Sequence, residues 1–187
     1  RQRAFAGGDL LLVVGCLGRG TASGVVPALA RLAREADVLP MFLLTLPFSI
    51  EGNNRMAIAR RALDVTRQST DVVIPLANDM VFGTLPEETG LDEALEIAGG
   101  MVGNAAIGLA EMVRCRGAIP LDFASLRNLL KGQAAICTVG VAIGDSKTDP
   151  AALIDSALSS PLFGGEENLK TADVIAATLV GKGISLK

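Results

Sequence analysis

The chain has 187 residues, of which 50% are hydrophobic and 20% charged, and its net charge is −3. This composition is typical of a folded protein and excludes an intrinsically disordered chain. Because there is no excess of basic residues and no basic tail, bulk electrostatics do not favour nucleic acid or an anionic membrane as a partner. No apolar run reaches the roughly 18 residues that a membrane-spanning helix needs, so we expect no direct insertion into a membrane.

The residue types limit the chemistry further. The chain contains no His, which excludes Ser-His-Asp, Cys-His and His-metal sites within it, and we expect no metal site. Cys16, Cys115 and Cys137 are far apart and form no CxxC pair, so we expect buried, reduced thiols. The chain begins with Arg1 and enters a strand almost at once, which suggests a piece of a longer protein.

The first third alternates apolar strands with amphipathic helices. We predict strands at residues 10–14, 38–46 and 71–76, and helices at residues 24–35 and 51–67. Continuous apolar strands separated by such helices predict an α/β fold with a parallel sheet covered on both faces. One face of the second helix is basic and carries Arg55, Arg60, Arg61 and Arg67.

A linker-like stretch at residues 82–90 precedes the longest periodic segment. Apolar residues step by three or four from Leu91 to Val113, which predicts one long helix. We expect this helix to lie between two subdomains. The pattern then predicts a short helix at 122–130, an alternating strand at 133–143, a helix at 149–159 and a strand at 171–180. The domain division that follows is 1–90, 91–116 and 117–187.

The run Gly18–Gly24, with the sequence GRGTASG, lies between the first strand and the first helix. Small residues at a strand-to-helix turn leave backbone N–H groups free at a helix N-terminus, which favours an anion such as phosphate. A tight turn that only packs closely is the alternative, because short glycine motifs are not specific.

Five segments, in this order and with these gaps, resemble the tubulin/FtsZ superfamily, and FtsZ more than tubulin. Gly18–Gly24 is similar to the family's GGGTGTG phosphate loop, and residues 46–56 (LPFSIEGNNRM) to its KPFxFEGxxRM segment. Asn78-Asp79 is similar to the IPND turn, residues 121–124 (LDFA) to the VDFA of the catalytic loop, and residues 159–162 to an SSPL segment that follows a helix.

The resemblance implies the back half of a Rossmann-like parallel-sheet GTPase domain that lacks the N-terminal third, then the long central helix and an α+β activation domain. It implies GTP or GDP as ligand, with Mg²⁺ entering with the nucleotide. It also implies self-association into longitudinal filaments, contact with other FtsZ-type and division proteins, and a cytoplasmic location at the division site.

The resemblance also assigns a phosphate-binding role, through backbone N–H groups and the Thr21 hydroxyl, to five residues of the loop: Gly18, Gly20, Thr21, Ser23 and Gly24. Arg19 and Ala22 replace two of the family's glycines. Ala22 would be strained if its position requires a positive φ. Arg19 either pairs with a phosphate, fills the pocket or points to solvent.

Three further residues match positions that contact the nucleotide. Glu51 and Arg55 match positions near the ribose and phosphate, although their spacing also suits a surface i,i+4 ion pair. Asn78 matches the residue that contacts the nucleoside, and the alternative is an ordinary residue at a strand-end turn.

The positions that read guanine in the family differ here. Leu95 stands where the family has an aromatic residue, and Gly99 and Gly100 stand where it has an Asn and an Asp. Because glycines have no side chain to accept hydrogen bonds from the N–H groups of guanine, we expect little base selectivity.

The loop that completes the neighbouring subunit's active site differs as well. Its Asn-x-Asp-x-x-Asp pattern reads Pro120, Asp122 and Ser125 at the three key positions, which leaves Asp122 as the catalytic candidate. A helix N-cap is the alternative role for Asp122. We therefore expect weak nucleotide binding or none, with slow hydrolysis or none. The alternative function is a nucleotide-independent structural or pseudo-GTPase paralogue that assembles with or regulates an active FtsZ.

Overall fold

In the computed structural model, residues 8–114, 123–131, 135–145 and 147–181 are described. The strands are β1 (Leu10–Cys16), β2 (Leu39–Leu46), β3 (Val72–Ala77) and β4 (Ala135–Ile136). The helices are α1 (Gly20–Glu35), α2 (Asn53–Arg67), α3 (Asn78–Phe82), α4 (Leu91–Arg114), α5 (Phe123–Leu130), α6 (Pro150–Leu158) and α7 (Glu166–Thr171), and a 3₁₀ turn spans Ser49–Glu51.

The four strands form one parallel sheet in the order β1-β2-β3-β4. Leu10 of β1 is in register with Leu39 of β2, and Met41 of β2 with Val72 of β3. Seven of the eight residues of β2 are buried, because this strand has neighbours on both sides and helices above and below. This confirms the predicted α/β fold.

Helices cover both faces of the sheet. On one face, α1 and α2 pack over side chains that include Phe42, Leu44 and Val73. On the other, α4 packs over side chains that include Leu43 and Ile74. Alternate residues of each strand point to opposite faces, so Phe42 and Leu43 enter different cores, and both are fully buried.

The long periodic segments fold as predicted, with small differences at their ends. The helix expected at residues 91–113 is α4, and the helix expected at 149–159 is α6. Helix α1 begins four residues earlier than predicted, at Gly20, because Gly18 turns the chain sharply with a φ of 95°. The expected turn at Asn78 is the start of the short helix α3.

The strand predicted at residues 133–143 is wrong over most of its described length. Only Ala135 and Ile136 pair with β3, and residues 137–145 have no regular structure. The side chains of Cys137, Val139 and Val141 pack against the core on the α4 side of the sheet. The alternating pattern therefore reflects alternate burial of an irregular segment, which the sequence cannot distinguish from strand pairing.

The strand predicted at residues 171–180 is also wrong. Thr171 is the last residue of α7, and residues 172–181 are exposed and have no regular structure. A β-strand is stabilised by hydrogen bonds to a neighbouring strand. No described strand lies beside this segment, so its β-branched composition alone does not make it a strand.

The expected burial of the cysteine side chains is wrong at Cys16. Cys16, the last residue of β1, is exposed and not buried, because the strand ends at the rim of the sheet. Cys137 is half-buried, and burial raises the pKa of its thiol. Cys115 lies outside the described residues.

Candidate functional site

Eight of the nine predicted site residues follow the carboxyl ends of neighbouring strands. The segments are residues 17–24 after β1, residues 47–55 after β2 and residues 78–79 after β3. Carboxyl ends of parallel strands meet at one side of a sheet, and ligands of open α/β sheets bind there. We call these three segments together the carboxyl edge. The ninth residue, Asp122, lies outside the described residues.

The first segment of the carboxyl edge is shaped by Gly18. A Cβ at this position would lie 3.0 Å from the backbone oxygen of Arg55 and 3.1 Å from Cγ of Pro47. The positive φ of Gly18 also disfavours any other residue. Its N–H donates a hydrogen bond of 3.0 Å to Oγ of Ser23. Gly18 and Ser23 therefore fix the direction in which the chain enters α1.

The N-terminus of α1 is open to an anion. Nothing lies within 4 Å of a Cβ placed on Gly20 or on Gly24, and Thr21 is exposed. The first turn contains no acidic residue. The first N–H groups of a helix have no partner within the helix, and the helix dipole makes this end positive. The surface around Gly20 is therefore suited to a phosphate group.

The two substituted positions of the loop are accommodated without strain. Asp37 is the one non-glycine residue with a positive φ in the described part of the chain, so the strain considered for Ala22 is absent. Ala22 lies in α1 and packs against the core under that helix. Arg19 is exposed and forms no ion pair with a described residue.

The second segment is held by Glu51. One oxygen of its carboxylate accepts a 3.0 Å hydrogen bond from the N–H of Phe48, and the other pairs with Nη1 of Arg55 at 2.6 Å. The i,i+4 ion pair considered from the spacing of Glu51 and Arg55 is thus formed. Phe48 is buried and packs edge-to-face on Phe82, with ring centroids 5.8 Å apart. These contacts fix the shape of the loop between β2 and α2.

The third segment is tied to the second by Asp79. Its carboxylate accepts a 2.9 Å hydrogen bond from the N–H of Ser49 and a second one from the Ser49 hydroxyl. Asn78, the first residue of α3, is half-buried beside it. Sequence reasoning gave no role to Ser49 or Asp79. The available signal was a polar residue shortly after each of two adjacent parallel strands.

The positions expected to read a base lie on α4. Leu95 is 44% exposed, and Gly99 and Gly100 are exposed with nothing within 4 Å of an added Cβ. This surface offers an apolar side chain and bare backbone, and the three positions supply no polar side chain. Ser125 lies in α5, while Pro120 lies outside the described residues.

The described part of the chain has no metal cluster and no membrane-spanning helix. No group of three or more Cys, Asp or Glu side chains there could hold a metal ion. Among the described helices, none is both long and apolar enough to cross a membrane.

The parallel sheet, with a glycine-containing turn that leads into a helix at its carboxyl edge, is an arrangement found in α/β domains that bind phosphate groups. Residues 2–86 match the family described as Tubulin/FtsZ family, GTPase domain. The cell division protein FtsZ of Methanothermobacter thermautotrophicus is 32% identical over 162 residues, which cover 87% of this chain and 42% of that protein. The chain is therefore a homologue of tubulin/FtsZ-family GTPase domains.

Solved structures of FtsZ and CetZ proteins have a similar fold. An empty FtsZ dimer from M. jannaschii superposes with a TM-score of 0.78 at 29% identity, covering 86% of this chain and 46% of that one. A GTPγS-bound protofilament of CetZ2 from Haloferax volcanii gives 0.60 at 26% identity, covering 84% and 45%. The chain spans less than half the length of each of these relatives.

Proposed function

We propose that this chain is part of an FtsZ-like cytoskeletal protein that binds GTP or GDP by its phosphates at the carboxyl edge and assembles into longitudinal filaments. The observation that supports this proposal is the combination of an open α1 N-terminus with a sharp turn held by Gly18 and Ser23. The CetZ2 protofilament with bound GTPγS is a precedent for an assembled relative that holds nucleotide.

In this proposal each loop residue has a different role in phosphate binding. Backbone N–H groups at Gly20 and Thr21, with the Thr21 hydroxyl, donate to phosphate oxygens. Gly24 keeps the following turn free of side chain. Ser23 acts by holding Gly18, since its oxygen already accepts that N–H. The exposed guanidinium of Arg19 is free to reach an anion bound at this end of the helix.

The other two segments contact the sugar and the nucleoside. Arg55 has donors beyond the one that Glu51 holds, and Asn78 supplies an amide at the end of β3. These residues fit the nucleotide because they converge on one edge of the sheet. Mg²⁺ enters with the nucleotide, as an ion held by its phosphates.

Base selection and hydrolysis are weak in this proposal. Leu95 offers the base an apolar surface, but Gly99 and Gly100 have no side chain to accept hydrogen bonds from the N–H groups of guanine. Asp122 is the catalytic candidate, and Ser125 stands where the family has a second carboxylate. With one carboxylate fewer to orient the attacking water, we expect a rate lower by ~10² or more.

The wider role follows from the family. We propose that the intact protein acts in the cytoplasm at the division site, with other FtsZ-type and division proteins as partners. The division into a nucleotide-binding part (1–90), a central helix (91–116) and an activation part (117–187) belongs to the same proposal.

A sedimentation experiment on the intact protein that contains this chain tests the function. We expect more protein in the pellet with GTP than with GDP or without nucleotide. The bare α4 surface at Gly99 and Gly100 favours a second candidate, a structural paralogue that assembles without nucleotide. Equal pelleting with and without GTP would support that candidate and contradict the first.

A further inference from the structure

Helices α1 and α2 enclose a groove on the outer face of the molecule. Its volume is about 470 Å³, and its walls include Ser23 and Pro27 of α1 and Ile58, Arg61 and Val65 of α2. Ile58 is 41% exposed and Val65 is 38% exposed. We call this feature the α1–α2 groove. It lies between α1 and α2, and at Ser23 it adjoins the phosphate-binding surface proposed above at the N-terminus of α1.

The groove has the length of a short helix. Its residues on α2 run from Asn54 to Val65, which corresponds to about three turns and about 17 Å of helix. Ile58 and Val65 are seven residues apart and so lie on the same side of α2. An amphipathic helix that lies in an apolar groove presents side chains at matching i, i+3/i+4 and i+7 positions.

The surroundings of the groove are basic. Together α1 and α2 contain six arginines and two acidic residues, although the whole chain has a net charge of −3. Arg31 and Arg61 form no ion pair with any described residue. Arg31 is one turn beyond Pro27 on α1, so it continues the row of side chains that lines the groove. The free positive charge therefore lies along the groove.

We propose that the α1–α2 groove binds an acidic amphipathic helix of a partner protein. Apolar side chains of that helix cover Ile58 and Val65, and carboxylates on its flanks face Arg31 and Arg61. A concave groove with an apolar floor admits a helix, whereas a bilayer would need a flat or convex surface. Binding of such a helix does not require the nucleotide function proposed above.

The test uses a fluorescein-labelled peptide of about 14 residues, with leucines at i, i+4 and i+7 spacing and glutamates at the other positions. Fluorescence anisotropy measures its binding to the intact protein. We expect saturable binding that weakens as salt rises. A scrambled peptide of the same composition, which has no leucine stripe, should bind about tenfold more weakly or worse. Equal binding of the two peptides would overturn the proposal.

Two variants locate the binding. Arg61→Glu and Ile58→Ala should each weaken peptide binding by about tenfold, because one reverses a facing charge and the other removes apolar contact. Arg114→Glu makes the same charge change at the end of α4, on the other face of the sheet, and should leave binding unchanged. Thermal unfolding followed by circular dichroism checks that each variant is folded; Ile58 is partly exposed, so little stability should be lost.

Three results would contradict the proposal. Arg61→Glu and Arg114→Glu could have equal effects on peptide affinity. Light scattering without peptide could show self-association that Arg61→Glu abolishes, which would assign the groove to a second copy. Vesicles of phosphatidylglycerol could bind with the same dependence on Arg61 while the peptide does not, which would assign the surface to a membrane.

Discussion

Gly18 and Gly20 are two residues apart at the turn into α1, but their environments differ. Gly18 has a φ of 95° and only tight space for a Cβ, 3.0 Å from the backbone oxygen of Arg55, whereas Gly20 has open space around it. Gly18→Ala should therefore lower the free energy of unfolding by about 1–3 kcal/mol, because it forces a strained backbone and a clash with Arg55.

The matched control is Gly20→Ala, which should change the free energy of unfolding by no more than about 0.5 kcal/mol. Urea unfolding of both variants, followed by circular dichroism, provides the comparison. Equal destabilisation by the two substitutions would show that the tight turn at Gly18 is not a structural requirement.

Asp37, just after the end of α1, is a second residue with a positive φ, and it forms two ion pairs. Its φ is 55°, and its carboxylate pairs with Nη2 of Arg127 at 2.6 Å and with Nζ of Lys131 at 3.4 Å. The hydrogen bond and charge of Arg127, and then the charge of Lys131, lower the pKa of Asp37 below 3.8. The ion pairs connect the start of β2 to α5.

The lowered pKa predicts a pH dependence. Because the folded-state pKa lies below the unfolded value, the stabilisation by Asp37 is complete above the unfolded pKa. It is lost as the pH falls through the folded pKa. Asp37→Asn should therefore be less stable than the wild type at pH 7, and the difference should shrink below about pH 4. Urea unfolding across this range measures it; a difference that grows at low pH would contradict the assignment.

At the scale of elements, α4 combines two kinds of small residue. Ala105 is fully buried against the sheet, while Gly103 is exposed with nothing within 4 Å of an added Cβ. Gly103→Ala should raise the free energy of unfolding by about 0.5–1 kcal/mol, because alanine restricts the unfolded chain and favours the helix.

Ala105→Leu should have the opposite effect and lower the free energy of unfolding by about 1–3 kcal/mol, since it overfills the contact between α4 and the sheet. Differential scanning calorimetry of both variants tests the packing of α4. A stabilising Ala105→Leu would mean that α4 does not lie against the sheet as described.

The elements that the sequence predicted well have long, regular apolar patterns. Strands β1 to β3 are continuous apolar runs. Helices α1, α2 and α4 have apolar residues at helical spacing. Residues 137–141 and 171–180 carry an equally regular pattern without a strand. In the first segment the irregular chain packs alternately on the core, and in the second no described strand lies beside it.

The candidate site was predictable where its residues are contiguous. The run from Gly18 to Gly24 and the Glu51–Arg55 spacing are local patterns. The contact between Ser49 and Asp79 joins residues 30 positions apart, so only the sheet topology brings them together. The contact between Asp37 and Arg127 joins residues 90 positions apart, and no local pattern signals it.

At the scale of the whole molecule, we propose nucleotide binding at the carboxyl edge and slow hydrolysis, because Gly99, Gly100 and Ser125 replace polar groups of the family's pattern. We expect the intact protein to turn over GTP at less than about 1 per second under conditions in which it assembles. A phosphate-release assay on sedimented polymer measures the rate. Faster turnover would show that Asp122 suffices without a second carboxylate at Ser125.

The most direct test of the central claim is equilibrium binding of GTPγS to the intact, nucleotide-free protein by isothermal titration calorimetry. We expect saturable binding by the wild type and by Gly103→Ala. In Gly20→Val, a side chain at the α1 N-terminus should weaken binding by about tenfold or more without changing the free energy of unfolding by more than about 0.5 kcal/mol. Equal affinities for Gly20→Val and the wild type, or no binding by either, would contradict a phosphate site at the carboxyl edge.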